Sequence, residues 1–181
     1  MRIIGGKFRG RKLKTPKDQT IRPTTDRLRE SIFSALDHRI GGFHGKRIAD
    51  IFSGTGALGL EALSRGAARA TLVEKHSPGL SILKGNISLL EVEDQAKILR
   101  ADARNLPKAD KPFDVVFLDP PYGRGLAGPC MESLLEKNWV DKTSLIVLEC
   151  DKNEELEIPE GLEIVKTLKQ GFRRVHFIGR V

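Results

Sequence analysis

A largely apolar run, Phe113-Asp114-Val115-Val116-Phe117-Leu118, has the length of one buried strand and stops at Asp119-Pro120-Pro121-Tyr122. Two consecutive prolines can neither extend a hydrogen-bonded ladder nor sit inside a helix, so the backbone must leave the sheet at this point. A carboxylate, two stiff rings and an aromatic are then fixed at the carboxyl end of a core strand. Open α/β sheets bind their ligands at that edge. The rest of the sequence fits such a sheet. From residue 46 onward, strands over 47–52, 70–74, 96–100, 113–118 and 144–149 alternate with helices over 57–65, 80–90 and 132–137. Two further strands, 162–168 and 175–178, flank Gly171 as a closing hairpin. The pattern predicts an α/β fold: a seven-stranded, mostly parallel sheet with helices on both faces and a carboxy-terminal antiparallel hairpin.

Residues 1–45 read as a small extension in front of a core spanning 46–181. Gly5-Gly6 and Gly10 break residues 1–22 into short strands and turns. Arg22-Pro23-Thr24-Thr25-Asp26 is a helix entry, with Thr or Asp as cap, and Leu28, Ile32, Ala35 and Leu36 recur at helical spacing over 25–38. The charge is concentrated here. Net charge is +7, yet residues 1–29 hold ten Lys or Arg against Asp18 and Asp26, which leaves the remainder at −1. Ile3, Ile4, Phe8, Leu13 and Ile21 are interleaved with those cations. The segment therefore reads as a packed basic arm that meets the phosphates of a nucleic acid.

A chain of 181 residues suits one compact domain. No run reaches the roughly 18 apolar residues of a membrane helix, and Met1-Arg2-Ile3-Ile4-Gly5 starts no apolar signal segment. Cys130 and Cys150 lack CxxC spacing and the four histidines are scattered. Reduced thiols, no metal, no membrane contact and a cytoplasmic location are expected.

Asp50-Ile51-Phe52-Ser53-Gly54-Thr55-Gly56-Ala57-Leu58-Gly59 joins the first core strand to its helix. Its glycines allow backbone N–H groups and a helix amino end to approach a ligand. Gly54, Gly56 and Gly59 also satisfy GxGxxG, so a dinucleotide has to be weighed. Asp50, four positions before the first glycine, would repel a pyrophosphate and suits a cationic ligand instead. The loop resembles motif I of class I methyltransferases, which implies S-adenosylmethionine as cofactor. Asp50, Ser53, Gly54, Thr55 and Gly56 are the loop candidates. Glu74 ends the second strand, where an acid takes ribose hydroxyls, and Asp102 with Ala103 follows the third, near an adenine amine.

Asp119-Pro120-Pro121-Tyr122 resembles the D/N-P-P-Y/F signature of methyltransferases acting on exocyclic amines of nucleobases. The resemblance implies Asp119, Pro120, Pro121 and Tyr122 as catalytic residues. The chain is also similar, over nearly its whole length, to the bacterial 16S ribosomal RNA guanine-N2 methyltransferases. That similarity lies in Arg2-Ile3-Ile4-Gly5-Gly6, Arg9-Gly10-Arg11-Lys12-Leu13, Arg22-Pro23-Thr24-Thr25-Asp26-Arg27, Arg29-Glu30, Gly54 through Gly66, and Asp119 through Gly123. It implies methylation of one small-subunit rRNA guanine, in a partly assembled particle. Arg2, Arg9, Arg11, Lys12, Arg22, Thr24, Thr25 and Arg27 become the RNA-binding candidates, and Arg173 and Arg174 are read as either phosphate contacts or solvated cations. Two alternatives remain open at this point. An adenine-N6 or cytosine-N4 methyltransferase on DNA or another RNA would share the motif, although no separate target-recognition region fits in the chain. A non-catalytic RNA-binding assembly factor would be expected to lose Asp119 or the glycine loop.

Overall fold

The computed structural model describes residues 1–16 and 25–181. Arg22 and Thr24 of the basic arm lie outside the described residues. The elements are α1 (Asp26–Ile40), β1 (Arg47–Ile51), α2 (Ala57–Ser64), β2 (Arg69–Val73), α3 (Ser77–Leu90), β3 (Ala96–Leu99), β4 (Val115–Leu118), α4 (Ala127–Glu136), β5 (Leu145–Asp151), β6 (Leu162–Gln170) and β7 (Arg173–Arg180). One seven-stranded sheet runs β3-β2-β1-β4-β5-β7-β6. β3, β2, β1, β4 and β5 pair in parallel, and β7 returns antiparallel between β5 and β6. The strand order reverses between β1 and β4, so the crevice outside their carboxyl ends is the switch point where doubly wound sheets bind ligands.

Alternation along each strand splits the core into two layers. Ile48, Leu72, Val115, Phe117, Val147 and Phe177 pack with α1, α2 and α3 on one face. Ala49, Ile51, Val116, Leu118, Ile146 and Ile178 pack with α4 and Trp139 on the other. Two helices begin earlier than their apolar spacing suggests. Pro78 stands in the first turn of α3 and Pro129 in that of α4. Proline is tolerated there because the first-turn N–H groups have no intrahelical partner. α1 is capped as expected: the Thr25 hydroxyl accepts from Leu28 N at 3.2 Å, and Gly41 closes the helix in the left-handed region.

The amino-terminal segment shares the first of these layers. Ile3, Phe8 and Leu13 are buried in it, while the Arg2–Lys12 bridge folds residues 1–13 into a tight antiparallel turn. Three polar side chains hold the segment down. Glu61 on α2, wholly buried, accepts from Ile4 N at 2.7 Å and Gly5 N at 2.8 Å. Ser64 accepts from Phe8 N at 2.9 Å and donates to Gly5 O at 2.6 Å. Asn86 on α3 accepts from Lys14 N at 2.7 Å and donates to Lys14 O at 3.0 Å and to Thr55 O at 2.9 Å. That last bond ties the arm to the glycine loop.

Candidate active site

Four carboxylates end adjacent strands of the sheet, Glu74 after β2, Asp50 in β1, Asp119 after β4 and Glu149 in β5. Leu72, Phe117 and Val147 face the α1–α3 layer, and two positions further along each strand fall Glu74, Asp119 and Glu149. Asp50 lies opposite Leu72 and Phe117 in the register, so strand alternation turns all four acids to that same layer. Asp50, Glu74 and Glu149 are buried, and Asp119 keeps a partly exposed surface.

The glycine loop is built around the first two acids. Asp50 Oδ2 accepts from Gly59 N at 2.9 Å. Glu74 Oε2 accepts from Gly54 N at 3.0 Å, and its Oε1 from Lys75 N and His76 N at 2.8 Å each. The buried Ser53 bonds Val73 O through both its backbone N–H at 2.9 Å and its hydroxyl at 3.2 Å. Phe52 is held at φ 62, a left-handed conformation that costs a residue with a side chain about 1–3 kcal/mol. Gly56 turns the chain into α2 at φ +78, and a Cβ there would stand 2.5 Å from Leu83 Cδ1. At Gly59 a Cβ would meet Leu72 Cδ2 at 2.3 Å. Gly56 is favoured by conformation and by packing, Gly59, inside α2, by packing alone.

Asp102 lies beside this loop and is already engaged. Arg104 donates to it from its backbone N–H, Nε and Nη2 at 3.0, 3.0 and 2.8 Å, and Lys75 Nζ at 3.0 Å. The Arg104 hydrogen bonds, with Lys75, hold its carboxyl well below the usual range. An adenine amine would compete with those donors. A hollow of about 490 Å³ lies at this end of the sheet, lined by Lys75, His76, Ser77, Arg100, Ala101 and Asp102. Ala103 is buried in the core layer next to it.

Asp119 follows β4 with Pro120 buried and Pro121 and Tyr122 exposed. Tyr122 is 41% exposed and its hydroxyl donates to Glu149 Oε1 at 3.0 Å. Arg173, at the start of β7, turns inward and bonds Glu149, so its guanidinium joins the acid row and is neither a phosphate contact nor a solvated cation. Sequence reasoning missed Glu149, although it ends the strand read over 144–149 and obeys the strand-end rule that singled out Glu74. Glu61 and Asn86 were missed as well.

The row carries more acid than the inward-turned Arg173 can balance. Burial pushes the Asp50 carboxyl up to about 7 against the opposing hydrogen bond from Gly59, with the Glu74 charge adding to the rise. Asp119 is raised well above the usual range by burial, then by the charges of Glu149 and Asp50, with Arg173 opposing. Such a cleft favours a cation and repels a pyrophosphate. S-adenosylmethionine, with a sulfonium and an α-ammonium, fits it. Asp50 gives this a measurable form. Its carboxyl is protonated more readily in the folded than in the unfolded chain, so stability is lost as pH rises from about 4 to about 7. A bound cation favours the ionised form. Cofactor affinity is therefore expected to rise roughly tenfold from about pH 5.5 to about pH 7, read by titration calorimetry. A flat profile would remove Asp50 as the cation's partner.

A doubly wound sheet of this order, with a glycine loop after β1 and acids at successive strand ends, defines the class I S-adenosylmethionine-dependent methyltransferase fold. The chain belongs to the family described as Conserved hypothetical protein 95, whose model matches residues 1–179. It is 40% identical over 166 residues to ribosomal RNA small subunit methyltransferase D of Escherichia coli K12, covering 91% of this chain and 79% of that protein. The same-named protein of Haemophilus influenzae is 37% identical over 175 residues, 94% of this chain and 89% of the relative. Among solved structures, the Escherichia coli protein yhhF superposes with a TM-score of 0.85 at 35% identity, over 99% of this chain and 97% of the other.

Proposed function

We propose that the chain methylates the exocyclic N2 amine of a guanine in 16S rRNA, within a partly assembled small ribosomal subunit. The observation that carries this reading is the rigid Asp119–Tyr122 turn beside the acid-lined cofactor cleft. The names of its relatives, small-subunit rRNA methyltransferases, support the polymer.

An exocyclic amine is a weak nucleophile because its lone pair is delocalised into the ring. The Asp119 carboxylate and the Pro120 carbonyl accept hydrogen bonds from that nitrogen and favour a pyramidal, localised lone pair. Pro120 and Pro121 fix the acceptors in advance, so no reorganisation is needed during the reaction. The raised pKa of Asp119 brings it closer to that of a base able to take the proton the nitrogen sheds. The Tyr122 ring stacks on the base and aligns it. When bound, S-adenosylmethionine supplies the electrophilic methyl group. No metal has a step in this scheme.

Arg9, Arg11 and Lys12 are exposed on the arm. Arg2, also exposed, pairs with Asp26 at 2.9 Å. Thr25 caps α1, and Arg27 lines a hollow of about 370 Å³ with Ser31, Lys169 and Gln170. These groups are the proposed phosphate contacts. Converting Arg9, Arg11 and Lys12 together to glutamine should weaken RNA binding and lower the slope of log affinity against log salt by about 2, with cofactor affinity preserved. An unchanged slope would count against the arm.

The reading is tested by labelled methyl transfer to undermethylated small subunits, free rRNA and DNA, followed by nucleoside analysis. N2-methylguanosine from the ribosomal substrate is expected. N6-methyladenine in DNA would overturn it.

A further inference from the structure

We propose that Glu149 selects guanine: its carboxylate accepts the N1–H of the target base while Asp119 and the Pro120 carbonyl hold the adjacent N2 amine. This inference rests on the guanine-N2 reading above and names the residue that would enforce it.

The placement comes from the strands. Leu118 and Leu148 are partners in the β4–β5 register, so Asp119 and Glu149 follow at the same level on neighbouring strands. Their predecessors Phe117 and Val147 face the same layer, and so do the two carboxyls. The Glu149 charge is felt at Asp119. Tyr122, the ring that would stack on the base, donates its hydroxyl to Glu149 at 3.0 Å. A hydrogen-bond donor therefore already sits on the Glu149 carboxylate at the mouth of the catalytic turn. The base N1–H would replace that hydroxyl as the ring moves to stack. Arg173 supplies the counter-charge that lets a carboxylate remain in a buried position.

The chemistry discriminates among bases. An ionised carboxylate only accepts. Guanine presents two neighbouring donors along one edge, N1–H and N2–H, which match two neighbouring carboxylates. Adenine and cytosine place a ring-nitrogen lone pair beside their amine. Against Glu149 that lone pair would meet negative charge, and the base would offer no donor in place of the Tyr122 hydroxyl. A site built to bond an N–H rejects an analogue without it far more strongly than a pocket rejects a change of size.

The test uses 2-aminopurine, which keeps the N2 amine but has an acceptor at N1. Small subunits are reconstituted with 16S rRNA carrying guanine or 2-aminopurine at the methylated position. Methyl transfer is then followed for the wild-type full-length chain and for Glu149→Gln. The wild type should prefer guanine by roughly 100-fold in kcat/KM. In Glu149→Gln the carboxamide can donate to N1, so the preference should fall below about fivefold through a gain on 2-aminopurine. A purely structural role for the Glu149–Arg173 pair would slow both substrates alike and leave the ratio in place. That result, or a wild type indifferent to the two bases, overturns the inference while leaving guanine methylation intact. Absence of N2-methylguanosine from the wild type would instead overturn the functional reading itself. If Glu149→Gln folds poorly, the ratio is read from Glu149→Asp, whose shorter carboxylate should lose rate on guanine and not on 2-aminopurine; a ratio kept at the wild-type value in that variant overturns the inference.

Discussion

Alanine at Asp119 is expected to lower kcat for methyl transfer by about a thousandfold while the dissociation constant for S-adenosylmethionine moves less than about threefold. Asp119 is the only acidic side chain in the Asp119–Tyr122 turn, and on the proposed reading the amine's activation depends on it. On the proposed reading the cofactor keeps Asp50, in the neighbouring β1, for its cationic centres and Glu74, after β2, for its ribose. The effect on stability should run the other way from the effect on rate. Asp119 is raised well above the usual range by burial and by the charges of Glu149 and Asp50, so removing it relieves repulsion in the folded chain. The variant should melt no lower than the wild type near neutral pH. Rate and melting temperature falling together would mean that Asp119 is a structural residue and that the turn has been misread.

The second large effect is structural. Glu61 is wholly buried and accepts from Ile4 N, Gly5 N and Arg65 Nε at 2.7, 2.8 and 2.9 Å. Substitution by alanine takes the acceptor from two half-buried backbone donors and leaves Arg65 with Glu30 alone, at a cost of about 2–4 kcal/mol. That is a large fraction of the total stability of an ordinary domain. Denaturant titration should show the loss. Hydrogen exchange should show the amides of Ile4 and Gly5 losing protection ahead of the sheet. A change below about 1 kcal/mol with those amides still protected would mean that the apolar contacts of Ile3, Phe8 and Leu13 hold the segment unaided.

The order of strands and helices was legible because the central strands are short apolar runs closed by Gly, Pro or an acid, and because parallel strands buried on both faces leave that signature. What escaped were helix starts and buried polar groups. The helices begin before Pro78 and Pro129, and nothing local separates a first-turn proline from a loop proline. Glu61 follows Leu58, Gly59 and Leu60 in a helix whose neighbours are apolar, and two of its three donors come only from the arm folding back over α2. Asp50, Glu74 and Asp119 stood out as candidates because each ends a strand beside a recognisable loop or turn. Glu149 ends its strand with no motif after it. Arg173 follows a hairpin turn, a place where an arginine usually points to water. Its partner is set by the antiparallel return of β7 alongside β5, a pairing between segments more than 20 residues apart that no short pattern encodes.

Asn86 joins two parts of the molecule that would otherwise answer to different ligands. One carboxamide grips both the main chain of Lys14, in the basic segment, and the carbonyl of Thr55, in the glycine loop. A shift of the loop on cofactor binding would thus be passed to the segment proposed to meet RNA, and the reverse would hold equally. Linkage makes such an exchange symmetric. The factor by which RNA tightens the cofactor must equal the factor by which the cofactor tightens RNA, so one of the two affinities, measured with and without the other ligand, reports both.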